Sequence, residues 1–227
     1  MRYNLIDSIR GFALILMAVY HFSYDLNEFG ILHENMNYDP LWLYFRAVIM
    51  TLFLGLVGIS FSLNCPSFFD RKFQLRILKI FLCAMLISVA TYLLHPQTWI
   101  YFGVLHLIVI ASILGPWLAR FPIFAFVLGI FMIAIPLFYR SFIFNRPFLI
   151  VTGLSPLKPD TADFSPLLPW LGVVGLGIFL GWSIKFFQAN AFQMHIPLLT
   201  KLGRHSLLFY MVHQVILYPI AWLLALI

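Results

Sequence analysis

The chain has 227 residues, 63% of them hydrophobic and 10% charged, with a formal net charge of +6. A globular protein carries about 25% charged residues, so this composition excludes a water-solvated fold. Nucleic-acid binding has no support either, because the cations are spread over connections between apolar runs, and continuous apolar runs exclude the alternating strands of a membrane β-barrel.

A hydrocarbon core of about 30 Å takes about 20 apolar residues per helix. Seven runs fit, at about 4–26, 41–63, 73–94, 102–119, 121–139, 167–187 and 205–226. The expected fold is all-α: a polytopic transmembrane helix bundle of about seven spans, forming one domain over residues 1–227. Arg2, Arg10, Arg71, Lys72, Arg76, Lys79, Arg120, Lys185, Lys201 and Arg204 fall in alternate connections, so the positive-inside rule places the N-terminus in the cytoplasm and the C-terminus outside. The first run is long, is broken by Arg10 and lacks a small-residue cleavage site, so it is expected to stay attached rather than serve as a cleaved signal. Cys65 and Cys83 give no case for a disulfide. The largest connection, 139–169, is rich in proline and turn residues.

In the first run, "RYNLIDSIRGFALILMAVYHFSYDL", Asp7, Arg10, Leu14, Met17, His21 and Asp25 project within a sector of about 80° at 100° per residue. A charge facing lipid costs at least about 2.5–3.5 kcal/mol, so this stripe is expected to face the bundle interior or a watered cavity. Asp7 and Arg10 also read as a capping acid and an interfacial anchor. His21 and Asp25, spaced i and i+4, can touch, and a carboxylate beside an imidazole fixes its tautomer and raises its basicity. The plainer reading of that pair is an interfacial histidine with a helix-terminal acid.

Further along, "YFGVLHLIV" sets His106 near the start of the fourth run, and "DFSPLLPWLG" sets Asp163 before the sixth. The expected topology brings both to the level of His21 and Asp25, although an interfacial histidine and an acid at a helix head explain them as well. The glycines of "LGVVGLGIFLG" (171–181) read as close helix packing. In the last run, Ser206, Tyr210 and His213 share one face at i, i+4 and i+7, with His213 near the midplane, where an imidazole needs a function or a firm partner. Arg204 stands at the cytoplasmic mouth, able to pair with phosphate or to anchor the helix. His33, His95 and His195 read as solvated. No zinc pattern is present, and no metal is expected.

The segments "IDSIRGFALILMAVYHFSYDL", "FGVLHLI", "DFSPLLPWLGVVGLGIFLG" and "LGRHSLLFYMVHQ" resemble, in order, the bacterial membrane proteins grouped with heparan-alpha-glucosaminide N-acetyltransferase. The first of them also resembles membrane enzymes that O-acetylate bacterial surface polysaccharides. The resemblance implies a transmembrane acyltransferase that takes an acyl group, acetyl in the lysosomal relative, from cytoplasmic acyl-CoA. The acceptor is an amine or hydroxyl on the other side, expected to be a sugar of a glycan or glycolipid. Asp7, Arg10 and Gly11 match the first-helix signature of the family, and His21 and Asp25 its H-x-x-x-D. His106 matches its GxLH, and Arg204, Ser206, Tyr210 and His213 match its closing LGRxSLxxYxxH. The lysosomal enzyme's catalytic histidine lies in the segment after its first helix, a region where this chain has His33; the role is assigned here to His21.

The expected enzyme therefore has His21, Asp25, His106, Asp163 and His213 as catalytic residues. Asp7, Arg10, Arg204, Ser206 and Tyr210 are expected at the acetyl-CoA or other acyl-CoA. Its setting is the lipid bilayer of a bacterial cytoplasmic (inner) membrane, and a homo-oligomer is compatible with this reading. Two rivals use the same groups: a proton-coupled carrier or flippase with a His/Asp relay, and a haem-binding electron carrier with His21, His106 and His213 as axial ligands.

Overall fold

The computed structural model describes residues 3–161, 163–186 and 196–226; Arg2 and His195, considered above, lie outside them. The described chain is all-α. Its helices are α1 (Asn4–Glu28), α2 (Pro40–Asn64), α3 (Arg71–Leu94), α4 (Val104–Leu118), α5 (Pro122–Phe138), α6 (Leu167–Phe186), α7 (Pro197–Arg204) and α8 (Ser206–Leu224). Five of them, α1, α2, α3, α6 and α8, are long and apolar enough to cross a membrane, and they mark the chain as an integral membrane protein.

The other two apolar helices are shorter than their runs. With 15 and 17 residues, α4 and α5 span roughly 22 and 25 Å at 1.5 Å per residue, against a core of about 30 Å. Both are cut back by local chemistry. The start of α4 is set by backbone groups that find side-chain partners at Gly103 and Val104. A turn at Ala119–Arg120 separates it from α5, which opens on Pro122, a residue suited to a first helical position because its missing N–H would be unpaired there anyway. The short α7, absent from the apolar runs, likewise opens on Pro197 and ends with Lys201 and Arg204 in its last turn. Cations there offset the negative end of the helix dipole. Two short 3₁₀ turns, Phe142–Asn145 and Ile150–Thr152, order part of the largest connection.

The chain forms two compact units, residues 1–53 with 189–227, and residues 54–188; the boundary falls inside α2. In the first unit, Leu14, Met17 and Ile49 make a buried core, flanked by Tyr20, Phe45, Phe53, Leu202, Phe209 and Tyr210. Backbone approaches backbone where α7 meets α1. A Cβ on Gly11 would collide with the Leu199 carbonyl, and one on Gly203 with the Asp7 carbonyl. Beside these contacts the buried hydroxyls of Ser8 and Thr200 lie 2.7 Å apart. The Ile196 N–H donates to Ser8 Oγ at 3.2 Å. Gly203→Val forces side-chain atoms onto a main chain that cannot yield, and overpacking of this kind costs about 1–3 kcal/mol. The expected result is a clear fall in melting temperature in detergent, with Lys201→Ala, exposed on the same helix, as the unaffected control.

In the second unit the glycines of α6 work in two directions. Gly172 and Gly175 lie against Gly129 and Ala125 of α5, whereas Gly177 and Gly181 lie against Gly55 and Ile59 of α2. Absent side chains let three helices approach closely, the usual source of packing energy between apolar helices in lipid.

Candidate active site

The stripe on α1 is buried as its spacing requires: Asp7, Leu14, Met17 and Asp25 are all inaccessible, with Arg10 and His21 half-buried. At its N-terminal end Asp7, 3% exposed, gathers two guanidinium groups. Arg10 Nη1 donates to Asp7 Oδ1 at 2.7 Å. Arg204 Nε stands 3.7 Å from Asp7 Oδ2 and Arg204 Nη2 donates to Asn4 Oδ1 at 3.0 Å. The two arginines are thus held by one carboxylate, and Arg204 remains largely accessible. It borders a cleft of about 410 Å³ lined by Asn4, Pro197, Thr200, Lys201, Arg204 and His205. The cleft thus gathers the Lys201 and Arg204 cations, the His205 imidazole and the Thr200 hydroxyl, groups chemically able to pair with an anion such as phosphate. Ser206 opens α8 beside His205.

Eleven residues separate Arg10 from His21, roughly 16 Å along the helix, and there α1 meets α8. The rings of His21 and His213 pack edge to face with centroids 5.1 Å apart. His21 Nδ1 lies 2.9 Å from the Met17 carbonyl, and His213 Nδ1 lies 2.7 Å from the Tyr210 carbonyl. A carbonyl only accepts, so both Nδ1 atoms carry hydrogen and both Nε2 atoms are the basic ones. The orienting partner of His21 Nδ1 is therefore a backbone carbonyl of its own helix, where the sequence pattern points to Asp25. Asp25, 1% exposed, instead accepts from Gln214 Nε2 at 2.7 Å through Oδ1. Tyr210 packs in the core and sets its ring 5.6 Å from that of His213, and the Phe209 ring lies nearly parallel to that imidazole with centroids 6.2 Å apart.

Three buried polar atoms here have no hydrogen-bond partner among the described residues: Asp25 Oδ2, His213 Nε2 and Gln214 Oε1. All three are lone-pair acceptors in this arrangement. Buried polar atoms are nearly always paired, so unpaired ones point to a group that arrives from elsewhere.

His106 and Asp163 lie in the other compact unit, in a polar cluster whose members satisfy one another. His106 Nδ1 accepts from the Gly103 N–H at 3.1 Å, and His106 Nε2 lies 3.2 Å from Ser88 Oγ, which donates to the Ile100 carbonyl at 2.6 Å. Asp163 Oδ2 accepts from the Val104 N–H at 3.1 Å and Asp163 Oδ1 from Ser165 Oγ at 3.2 Å. Both side chains thus serve the unpaired N–H groups at the start of α4, where the helix dipole favours a carboxylate. Asp163→Ala is expected to cost about 0.5–2 kcal/mol, as loss of a capping acid does. Asp163→Asn, which still accepts, should recover most of the lost melting temperature.

Reasoning from the sequence passed over Gln214, Asn4, Thr200 and Ser88. Gln214 carried a signal, since an amide inside an apolar helix needs a partner; the others are too common in type to stand out. Among the described residues no group of three or more His, Cys, Asp or Glu side chains is placed to hold a metal ion.

These features define an all-α membrane protein in which α1 borders a cation-lined cleft near its start and, further along, shares an imidazole pair with α8. Residues 2–215 match the family model described as heparan-alpha-glucosaminide N-acetyltransferase, catalytic, and the chain belongs to that family. It is by that membership an acetyl-CoA-dependent membrane acyltransferase. No curated protein and no solved structure matches the chain.

Proposed function

We propose that the chain moves an acetyl group from cytoplasmic acetyl-CoA to an amine or hydroxyl of a sugar, carried by a glycan or glycolipid, on the outer side of a bacterial cytoplasmic membrane. In this reading the N-terminus and the cleft at Arg204 face the cytoplasm, and the whole chain works as one acyltransferase domain. The observation that carries it is α1 itself, which has Asp7 and Arg10 beside the Arg204 cleft at one end and His21, packed on His213, roughly 16 Å away. Arg204 and Lys201, which line the cleft, hold the coenzyme's phosphates, with Arg10 on the shared Asp7 carboxylate, and Ser206 and Tyr210 of α8 follow the course of its arm.

His21 Nε2 takes the proton from the acceptor as its nitrogen or oxygen attacks the thioester carbonyl. The new acyl bond forms, the carbon–sulfur bond breaks, and the imidazolium returns the proton to the departing thiolate. Two imidazolium ions 5.1 Å apart would repel by about 3 kcal/mol at an effective dielectric near 20. The His21–His213 pair therefore works with a single proton, as a base and its relay. Asp25 and Gln214 bind the acceptor's donors, and His106 and Asp163 hold the start of α4.

The test is transfer of label from [¹⁴C]acetyl-CoA to glycan or glycolipid in proteoliposomes of the purified chain. Release of CoA with label in the acceptor fraction is the expected result. Proton-coupled uptake or lipid flipping with no acetyl-CoA consumed would replace this reading by the carrier, and a Soret band in the purified protein by the haem carrier.

A further inference from the structure

The connection after α5 closes on itself. The Ser141 N–H donates to the Leu154 carbonyl at 3.0 Å, Ser155 Oγ lies 2.6 Å from Asn145 Oδ1, and the two 3₁₀ turns fill the interval. At its base a Cβ on Gly153 would collide with the Leu168 carbonyl, so the loop is pressed to the start of α6. Residues 141–155 make an Ω-loop, a compact form that frequently carries function. Midway along it stands Phe148, 90% exposed on a backbone at φ +68°. A bulky side chain seldom adopts that left-handed conformation, and strain of this kind is kept where it serves a function. Phe142, Ile143 and Leu149 are exposed with it. From Tyr139 to Leu157 the sequence holds two cations, the exposed Arg140 and Arg146, and no acid.

We infer that this loop is an interfacial anchor for anionic phospholipid: Phe148 enters the bilayer at its tip, and Arg146 takes the lipid phosphate. Length fixes the level at which the loop works. Helix α5 spans roughly 25 Å against a hydrocarbon core of about 30 Å, so the chain that continues it starts at the hydrocarbon boundary. The headgroup layer adds only about 5–8 Å on each side, and a compact loop tied to the ends of α5 and α6 stays close to it. In water a strained, bare phenyl gains nothing. Among lipid carbonyls the ring leaves water and the guanidinium beside it meets phosphate. Two cations with no acid among them select an anionic headgroup over a zwitterionic one. A protein partner would have to bring both an apolar pocket and acids, whereas the bilayer beside α5 and α6 supplies both demands already.

The inference is independent of the acyl-transfer reading, and its test uses no acetyl-CoA. Full-length protein in nanodiscs of mixed phosphatidylcholine and phosphatidylglycerol is released into a mass spectrometer, and the lipids it retains are identified. Wild type is expected to retain phosphatidylglycerol above its share of the bilayer. Arg146→Gln should weaken that retention by about fivefold and Phe148→Asn by about tenfold. Asparagine accepts the left-handed backbone, so the melting temperature of Phe148→Asn in detergent is expected at or above that of wild type. A marked fall would make Phe148 a packing residue and overturn the anchor. In a second measurement Phe148 is replaced by the photoreactive analogue p-benzoylphenylalanine, and membranes of the expressing cells are irradiated. Adducts with phospholipid support the anchor, and adducts with protein replace it by a protein-docking loop. Retention of the two lipids in proportion to the bilayer, or retention unchanged in both variants, overturns it as well.

Discussion

Replacing His21 by alanine should lower acetyl transfer by about 10²–10⁴-fold, the usual worth of a positioned general base. The fold should survive, because the His21 ring is half-buried and its Nδ1 bond is to a carbonyl of its own helix. The measurement is turnover of labelled acetyl-CoA in proteoliposomes, paired with the melting temperature. His33→Ala is the informative control: His33 is exposed in the connection after α1, and turnover within about twofold of wild type is expected there. If His33→Ala silences the enzyme and His21→Ala does not, the base has been assigned to the wrong end of that connection. His213→Ala should fall between, since it removes the relay and leaves the first proton acceptor in place.

The second large effect is expected at Asp7. Removing this buried carboxylate takes away the charge-assisted hydrogen bond to the part-buried Arg10, worth about 1.5–3 kcal/mol, while the exposed Arg204 pair adds little to stability. Asp7→Ala should therefore lower the melting temperature strongly. It should also raise the KM for acetyl-CoA more than it lowers kcat, because Arg10 and Arg204 lose the group that sets their positions. Arg204→Ala separates the two consequences. Arg204 is 45% exposed at its side chain, so its loss should leave stability nearly unchanged and still raise KM by about tenfold, with the effect shrinking at high salt as screening removes long-range attraction. A normal KM in both variants would remove the phosphate role from this end of α1.

The polar stripe of α1 was readable because a helix repeats every 3.6 residues and lipid penalises charge, so spacing alone requires Asp7, Arg10, His21 and Asp25 to share an inward side. The same reasoning reached His213 and Tyr210 on α8. It did not reach α7, which at 8 residues is too short to register as an apolar run and is held by backbone contacts of Gly11 and Gly203. Nor did it reach the Asp25–Gln214 bond, whose partners lie 189 residues apart. The pairing of His21 with Asp25, suggested by i,i+4 spacing, competes with a carbonyl one turn back, and in the structure Met17 takes His21 Nδ1 while Gln214 takes Asp25. His106 and Asp163 show the same limit. Their positions before two runs were evident, but the N–H groups they satisfy belong to the start of α4 and exist as partners only once that helix forms.

What the amino-acid order determined by itself is the part governed by the solvent: which stretches are helices in lipid, which charges must turn inward, and which family the chain belongs to. Tertiary structure decided the part governed by pairing. It chose the carbonyl that orients each imidazole, set Asp7 between two arginines, and left Asp25 Oδ2, His213 Nε2 and Gln214 Oε1 without donors among the described residues. Burial is an average property that composition and period can report, whereas a hydrogen bond depends on two groups meeting within about 3 Å, and only the folded chain fixes which two.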